Sequence, residues 1–413
     1  MKQTYKNSTP LMQLAGYPVG MHDMARACLL GRLNLGLWGD TGSGKTQLAR
    51  DMMAHFGDKA TFILGRNDMD TRELFQQINL EKLRTAKSSA DVKELTDKID
   101  YHLIVVDELP NCVPAVRAQL FNLFDGFVEI NGRAYPIGKG YSMGIATGNI
   151  GQKFTESSND LGRALKDRMH VIVDTDYFAP SASDALEILA GDTNPRVNFD
   201  TDGTDSSEDI IKRHNTLVQK EIPFEKLVLA GYLTHGLDYC MIGGKAGAKG
   251  AVQGGTVSSK RKLKDSWPAV ITNHAQGSDE ALVFPLSTRA AKSTLRLSQA
   301  LDSVVEEKAG KNVEVDPIES MLNAYKFVGA YSGILSEAAV DAVYSGDKYK
   351  ALEAVAQLAR TQYAQQEVNI RDGLDMALSK KLDEKILNRF TGRWGFMKDV
   401  LVHLTQGDNP HGN

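Results

Sequence analysis

Short apolar runs alternate with segments of helical length through the first 175 residues of the chain. The runs fall at 34–38, 61–64, 102–106, 143–147 and 170–173, and such alternation predicts a parallel sheet covered by helices. After Asp174 the pattern changes. Residues 196–208 are polar and acidic and read as a loop, and from Ile210 onward the apolar spacing is three and four, the helical period. It is clearest at 226–238, 287–303 and 317–336. Between the first two of these lies 243–266, rich in glycine and lysine and without a period, which predicts a long mobile loop. Two amphipathic helices follow, at 348–377 with a break near Gly373 and at 382–404, before a polar tail. The expected architecture is α/β: a core at 1–208 with a five-stranded parallel sheet, an α-helical domain at 209–345, and a helical C-terminal extension at 346–413.

Composition narrows this picture only a little. The 413 residues are 42% hydrophobic and 24% charged, ordinary for a water-soluble globular chain. A net charge of −4 gives no global attraction to nucleic acid. No apolar run approaches the roughly 20 residues of a membrane helix, and the first ten residues lack the apolar stretch of a secretory signal. Three cysteines far apart predict no disulfide framework, and the nine histidines form no metal-spaced cluster. A reducing cytoplasm is the expected compartment.

Chemistry enters at Gly39-Asp40-Thr41-Gly42-Ser43-Gly44-Lys45-Thr46, placed after the first apolar run and before a helix at 46–55. This is the spacing and context of a phosphate-binding loop. The glycines let backbone N–H groups turn inward around a phosphate at the positive end of the helix. Lys45 is placed to reach the β- and γ-phosphates of ATP, and the Thr46 hydroxyl to bind Mg2+. The run Leu103-Ile104-Val105-Val106 ends in Asp107-Glu108, a strand delivering two carboxylates. Asp107 is suited to the Mg2+ water shell and Glu108 to polarising a water for attack on the γ-phosphate. Asn131-Gly132, between short alternating segments, predicts a two-residue hairpin. It leads into an apolar strand ending at Asn149, an amide suited to the attacking water or the γ-phosphate. Arg168 closes a helix-like stretch before the last strand and can neutralise phosphate charge from a neighbouring subunit, a role for which Arg163 competes. Arg289, at the start of a later helix, can reach the phosphates from the second domain.

In this order the parts resemble the AAA+ ATPases, specifically the MoxR-like group, over residues 19–335. Ala146-Thr147-Gly148-Asn149 is similar to the first sensor, Asp167-Arg168 to the arginine finger and Ser287-Thr288-Arg289 to the second sensor. The resemblance implies a hexameric ring with ATP between subunits. Lys45, Thr46, Asp107, Glu108 and Asn149 would then act in cis, Arg168 in trans and Arg289 from the lid. It implies a protein partner, frequently one with a von Willebrand A domain. The chain departs from the family pattern at Leu109-Pro110-Asn111, and in the charged, helix-patterned stretch 76–100.

Three functions follow as expectations. The first is an ATP-driven machine that remodels or assembles a partner protein complex. The second is a nucleic-acid motor or loader, for which the basic cluster Lys245, Lys249, Lys260, Arg261, Lys262 and Lys264 speaks, although a solvated loop suits the acidic chain better. The third, a nucleotide-gated scaffold with little turnover, fits poorly with an intact Glu108.

Overall fold

A computed structural model describes residues 4–77, 101–130, 132–149, 168–191, 205–242, 245–246, 252–253, 255–263, 266–269, 271, 279–310 and 313–406. The chain divides into two compact units. One comprises Met1–Glu221 with Arg296–Asp316, the other Ile222–Leu295 with Pro317–Asn413.

The first unit opens with a small antiparallel ribbon, β1 (Met12–Leu14) and β2 (Tyr17–Val19), and helix α1 (Met21–Gly31), none of which the periodicity announced. At the start of α1 the Asp23 carboxylate accepts the Gly20 N–H at 2.9 Å, satisfying one donor that the helix leaves unpaired. The five expected strands are all present: β3 (Leu35–Trp38), β4 (Ala60–Leu64), β5 (Leu103–Asp107), β8 (Met143–Gly148) and β9 (Val171–Asp174). They form one parallel sheet in the order β4-β5-β8-β3-β9. Leu37 pairs with Thr147 on one side and Val173 on the other, and Val105 with Phe62 and Ile145. Strands β3 and β8 are buried throughout, which is why they are apolar end to end rather than alternating. Because all five run the same way, the segments after Trp38, Asp107, Gly148 and Asp174 leave from one edge of the sheet. Ligands of open α/β sheets bind at that edge.

Between β3 and β4 lies α2 (Lys45–Met53), and α3 (Thr71–Gln77) follows β4. Residues 78–100 of the charged stretch lie outside the described residues. Helix α4 (Pro114–Phe124) leads into the expected hairpin, β6 (Phe127–Ile130) paired with β7 (Arg133–Pro136), although Asn131 itself is outside the description. After β9 come α5 (Ala182–Gly191) and α6 (Ser207–Gln219). Helix α6 begins inside the segment expected to be a loop, so 196–208 needs correction at its end: Ser207 and Glu208 are helical, with the acidic Glu208 and Asp209 in the first turn where the helix dipole favours them.

In the second unit α7 (Phe224–Thr234) precedes a region that corrects the sequence expectation for 243–266. The region is not simply an aperiodic loop. β10 (Tyr239–Ile242) pairs antiparallel with β13 (Thr256–Ser259), and the two-residue β11 (Lys245–Ala246) with β12 (Val252–Gln253). Beyond β13 the chain turns so that Lys260 is fully buried, donating to the carbonyls of Asp279 at 3.0 Å and Val283 at 2.7 Å. These carbonyls belong to or follow the short helix α8 (Asp279–Leu282). Arg261 is also engaged, donating to the carbonyls of Thr234 and Leu286. The glycines and lysines hid this ribbon because its strands are short and its anchoring contacts are remote in sequence.

The remaining helices are α9 (Thr288–Ala309), α10 (Pro317–Gly329), α11 (Glu337–Tyr344), α12 (Lys348–Leu378), α13 (Glu384–Leu387) and α14 (Phe396–Gln406). Residues of α9 up to Leu295 are counted with the second unit and the rest with the first. Two expectations are corrected here. Helix α12 runs through Gly373 without a break, because a Cβ there would lie 2.8 Å from Leu401 Cδ1: the glycine serves close packing, not a kink. The helix expected at 382–404 is divided into α13, a short 3-10 turn at Gly392–Trp394 and α14, with Gly392 at φ +58° where the chain redirects. Among the described residues no helix is long and apolar enough to cross a membrane.

Candidate functional site

The phosphate loop leaves the end of β3 and enters α2 through Gly44, whose φ of +83° is a left-handed conformation that glycine adopts without strain. Lys45, 8% exposed, folds its ammonium onto the loop, donating to the carbonyls of Gly39 at 2.9 Å and Asp40 at 2.6 Å and to Ser43 Oγ at 3.3 Å. Burial lowers its proton affinity, while Asp176, Asp107, Asp40 and Glu108 pull the other way. The net shift is downward. Four carboxylates facing one lysine leave this corner rich in negative charge, a setting that cations complement.

Thr46 is the second residue of α2, and its hydroxyl lies 2.9 and 3.2 Å from the two carboxylate oxygens of Asp107 at the end of β5. Thr147, buried in β8, donates from its hydroxyl to the same carboxylate and accepts the Glu108 N–H at 3.0 Å. Thus β8 ties the two acidic residues together. Glu108 itself has φ +56°, uncommon for a residue with a side chain, and it starts a 3-10 turn at Leu109–Asn111. Within that turn Asn111 Nδ2 donates to Glu108 Oε2 at 2.7 Å, holding the carboxylate. Thr46, Asp107, Glu108 and Lys45 are therefore assembled by three adjacent strand ends.

The other expected residues stand differently. Asn149 directly follows β8, at the same edge as Asp107. Arg168 precedes β9 and donates from Nη1 to Asn122 Oδ1 on α4 at 3.2 Å. Its rival Arg163, like Asp167, lies outside the described residues. Arg289 is exposed in the first turn of α9, and its carbonyl accepts the Ser293 hydroxyl at 3.1 Å.

Sequence reasoning passed over four contributors. Thr147 was present in the motif but had no assigned role, and Asn111 was noted only as a departure. Thr175 and Asp176 follow β9 and hold the loop: Asp176 Oδ2 accepts the Asp40 N–H at 2.7 Å, and Thr175 Oγ1 lies 2.8 Å from Ser43 Oγ. Their signal was available, since Asp174-Thr175-Asp176 leaves an apolar strand just as Asp107-Glu108 does.

Residues 34–169 match the family model of the AAA domain, dynein-related subfamily. Among solved structures the chain is similar to a candidate ATPase from Cytophaga hutchinsonii, with a TM-score of 0.54 and 14% identity over 82% of this chain and 88% of that one. A full-length MCM homolog from Methanopyrus kandleri gives a TM-score of 0.40 and 12% identity over 75% of this chain and 55% of that one. Among curated proteins no match is found.

Proposed function

From the AAA domain matched at residues 34–169, we propose that this chain is an AAA+ ATPase that hydrolyses ATP with Mg2+ and uses the cycle to remodel or assemble a partner protein complex, as a MoxR-like member of that superfamily. The observation that carries the hydrolytic part is the convergence of Lys45, Thr46, Asp107 and Glu108 at one sheet edge, cross-tied by Thr147. The Thr46 hydroxyl and the Asp107 carboxylate form a hard-oxygen pair that fits Mg2+, whose role when bound is to neutralise phosphate charge.

The work of the chain's own residues is then as follows. The N–H groups at the start of α2 orient the phosphates. Lys45 exchanges its loop carbonyls for phosphate oxygens. Glu108 accepts a proton from the attacking water, and Asn149 orients that water from the neighbouring strand end. Hexameric assembly, Arg168 acting in trans, Arg289 acting from the lid and a partner with a von Willebrand A domain belong to this proposal through the family resemblance. The cytoplasm is its proposed compartment. The pre-sensor hairpin β6–β7 supports it, being a part of the MoxR-like pattern. The nucleic-acid reading loses a leading basic residue, because Lys260 is buried and engaged rather than offered to a phosphate backbone.

The test separates binding from turnover. Lys45→Ala should abolish ATP binding, whereas Glu108→Gln should bind ATP normally and lose turnover by about 100- to 10,000-fold. Glu108→Gln enzyme retaining most of its ATPase activity would sink the assignment. For the remodelling half, the Glu108→Gln form loaded with ATP should retain a protein client that the wild type releases. Retention of DNA or RNA alone, with steep salt dependence, would favour the motor reading instead.

A further inference from the structure

The phosphate loop is held at both ends by residues that have no part in the hydrolytic scheme. At its start, Asp176 accepts the Asp40 N–H. At its far end the ring of Tyr5 lies against Gly44: a Cβ on that glycine would fall 2.7 Å from Tyr5 Cε2. Tyr5 is 5% exposed, so the ring is enclosed rather than laid loosely on the surface.

One short segment, residues 4–9, joins these two grips. The N–H groups of Thr4 and Tyr5 donate to Asp51 Oδ2 at 3.0 and 2.9 Å, and Asp51 sits on α2, the helix that the loop leads into. His22 Nε2 lies 3.2 Å from the same carboxylate oxygen. Asn7 Nδ2 then donates both to Tyr5 OH at 3.0 Å and to the Phe178 carbonyl at 2.8 Å. Ser8 donates twice to Asp184 Oδ2, each at 2.9 Å, and Thr9 Oγ1 to the Ala179 carbonyl at 2.7 Å. Phe178, Ala179 and Asp184 follow Asp176 in the segment after β9. The contacts close a circuit: loop, α2, Asp51, residues 4–9, the post-β9 segment, Asp176 and back to the loop. Every member belongs to the first unit.

We propose that Tyr5 and Asp176 are positioning residues for the phosphate loop, one at each end, and that Asn7 couples them. The inference rests on the ATPase reading above and adds residues that no nucleotide motif contains. The physical reason is preorganisation. A glycine-rich loop has many conformations, and binding a phosphate selects one of them. The Tyr5 ring holds Gly44 at its left-handed φ, and the Asp176 carboxylate holds the Asp40 N–H. The loop therefore meets the nucleotide already shaped. Neither side chain touches the water-activating Glu108 in the contacts described, so the effect falls on nucleotide affinity and not on the chemical step.

The full-length protein is titrated with fluorescent methylanthraniloyl-ATP and Mg2+, and its steady-state ATPase is measured, with Lys45→Ala as the non-binding control. Wild-type protein that binds no more tightly than Lys45→Ala would overturn the ATPase reading and this inference with it. Given wild-type binding, Tyr5→Ala and Asp176→Ala should each weaken affinity about tenfold or more and raise KM alike, with kcat held within about twofold. Tyr5→Phe, which keeps the ring but removes the hydroxyl that accepts the Asn7 bond, should recover part of the loss and bind about as Asn7→Ala does. The double variant should lose less than the product of the singles, because both act on one loop. If Tyr5→Ala does not fold, Asn7→Ala decides, since it removes the link from the Tyr5 hydroxyl to the Phe178 carbonyl and leaves the ring in place; it should weaken binding by severalfold. Unchanged affinity in Asn7→Ala and in whichever of the alanine variants fold, or a thermal destabilisation with KM unmoved, overturns the proposal.

Discussion

Thr147 is the residue on which the two carboxylates depend. Its hydroxyl is the described partner of the Glu108 N–H and also reaches Asp107. Thr147→Val keeps the shape and removes both bonds, leaving a donor unpaired at a cost of about 1–3 kcal/mol. The expected outcome is ATP binding near normal with kcat reduced at least about tenfold, read by parallel binding and turnover assays. A variant with wild-type kcat would show that Glu108 is aimed by its own left-handed backbone and by Asn111 alone. Gly44 makes a second demand at this scale. Alanine there meets both a φ of +83° and the Tyr5 ring, so substitution is strained twice over.

Among the elements, the ribbon β10–β13 and the short helix α8 are joined by a charged cluster within the second unit. Arg393 forms a two-pronged ion pair with Asp279, with Nη2 to Oδ1 at 2.7 Å, and Nη2 also donates to Glu280 Oε1 at 3.3 Å. Lys260 donates to the carbonyls of Asp279 and Val283, at the start of the same helix and just past its end, and Trp267 Nε1 donates to the Glu280 carbonyl at 2.8 Å. Asp279 is buried, so Arg393→Ala strands a carboxylate and should destabilise this unit by about 3–5 kcal/mol, measurable as a lowered thermal midpoint. A loss below the error of the measurement would mean water reaches Asp279.

Lys260 carries its proton less tightly than usual, burial being the main cause, with its pKa lowered from 10.5 to about 8. Below about 8 both folded and unfolded chains hold the proton, and stability is independent of pH through this group. Between about 8 and 10.5 the unfolded chain holds the extra proton, so this residue's contribution to stability rises with pH. The difference in thermal midpoint between wild type and Lys260→Met should therefore move in favour of the wild type across that window. No movement would place the ammonium in a solvated setting, and movement the other way would mean that the neighbouring carboxylates hold its proton more tightly than water does.

For the whole molecule, the proposed ring makes a prediction about Arg168. Arg168 donates to Asn122 of its own chain and stands before β9, at the opposite end of the strand from the phosphate-loop edge. That placement motivates its proposed trans role. Mixing Arg168→Ala with Lys45→Ala subunits should restore part of the ATPase activity, because a sound Lys45 site can borrow its neighbour's arginine. Mixed assemblies that stay inactive, with mixing confirmed, would remove the trans role from Arg168 and pass it to Arg163. Assembly itself should depend on nucleotide, checked by mass measurement in solution with and without ATP.

The sheet and the residues gathered at its edge were legible along the chain because their signals are local. A buried parallel strand must be apolar end to end, and a phosphate loop must place its glycines, lysine and threonine at fixed spacing. Strands β3, β4, β5, β8 and β9, and the sequence from Gly39 to Thr46 with Asp107 and Glu108, could therefore be read directly. What only the tertiary structure decided are pairings between distant residues. Lys260 looked like its basic neighbours until the fold placed it beneath α8, and Gly373 looked like a helix break until Leu401 was found against it. The same is true of Tyr5 at Gly44 and Asp176 at Asp40. Local patterns record which backbone conformations a residue permits. Which partner shields or holds it depends on segments brought together only by burial of the core, and no spacing along the chain encodes that meeting.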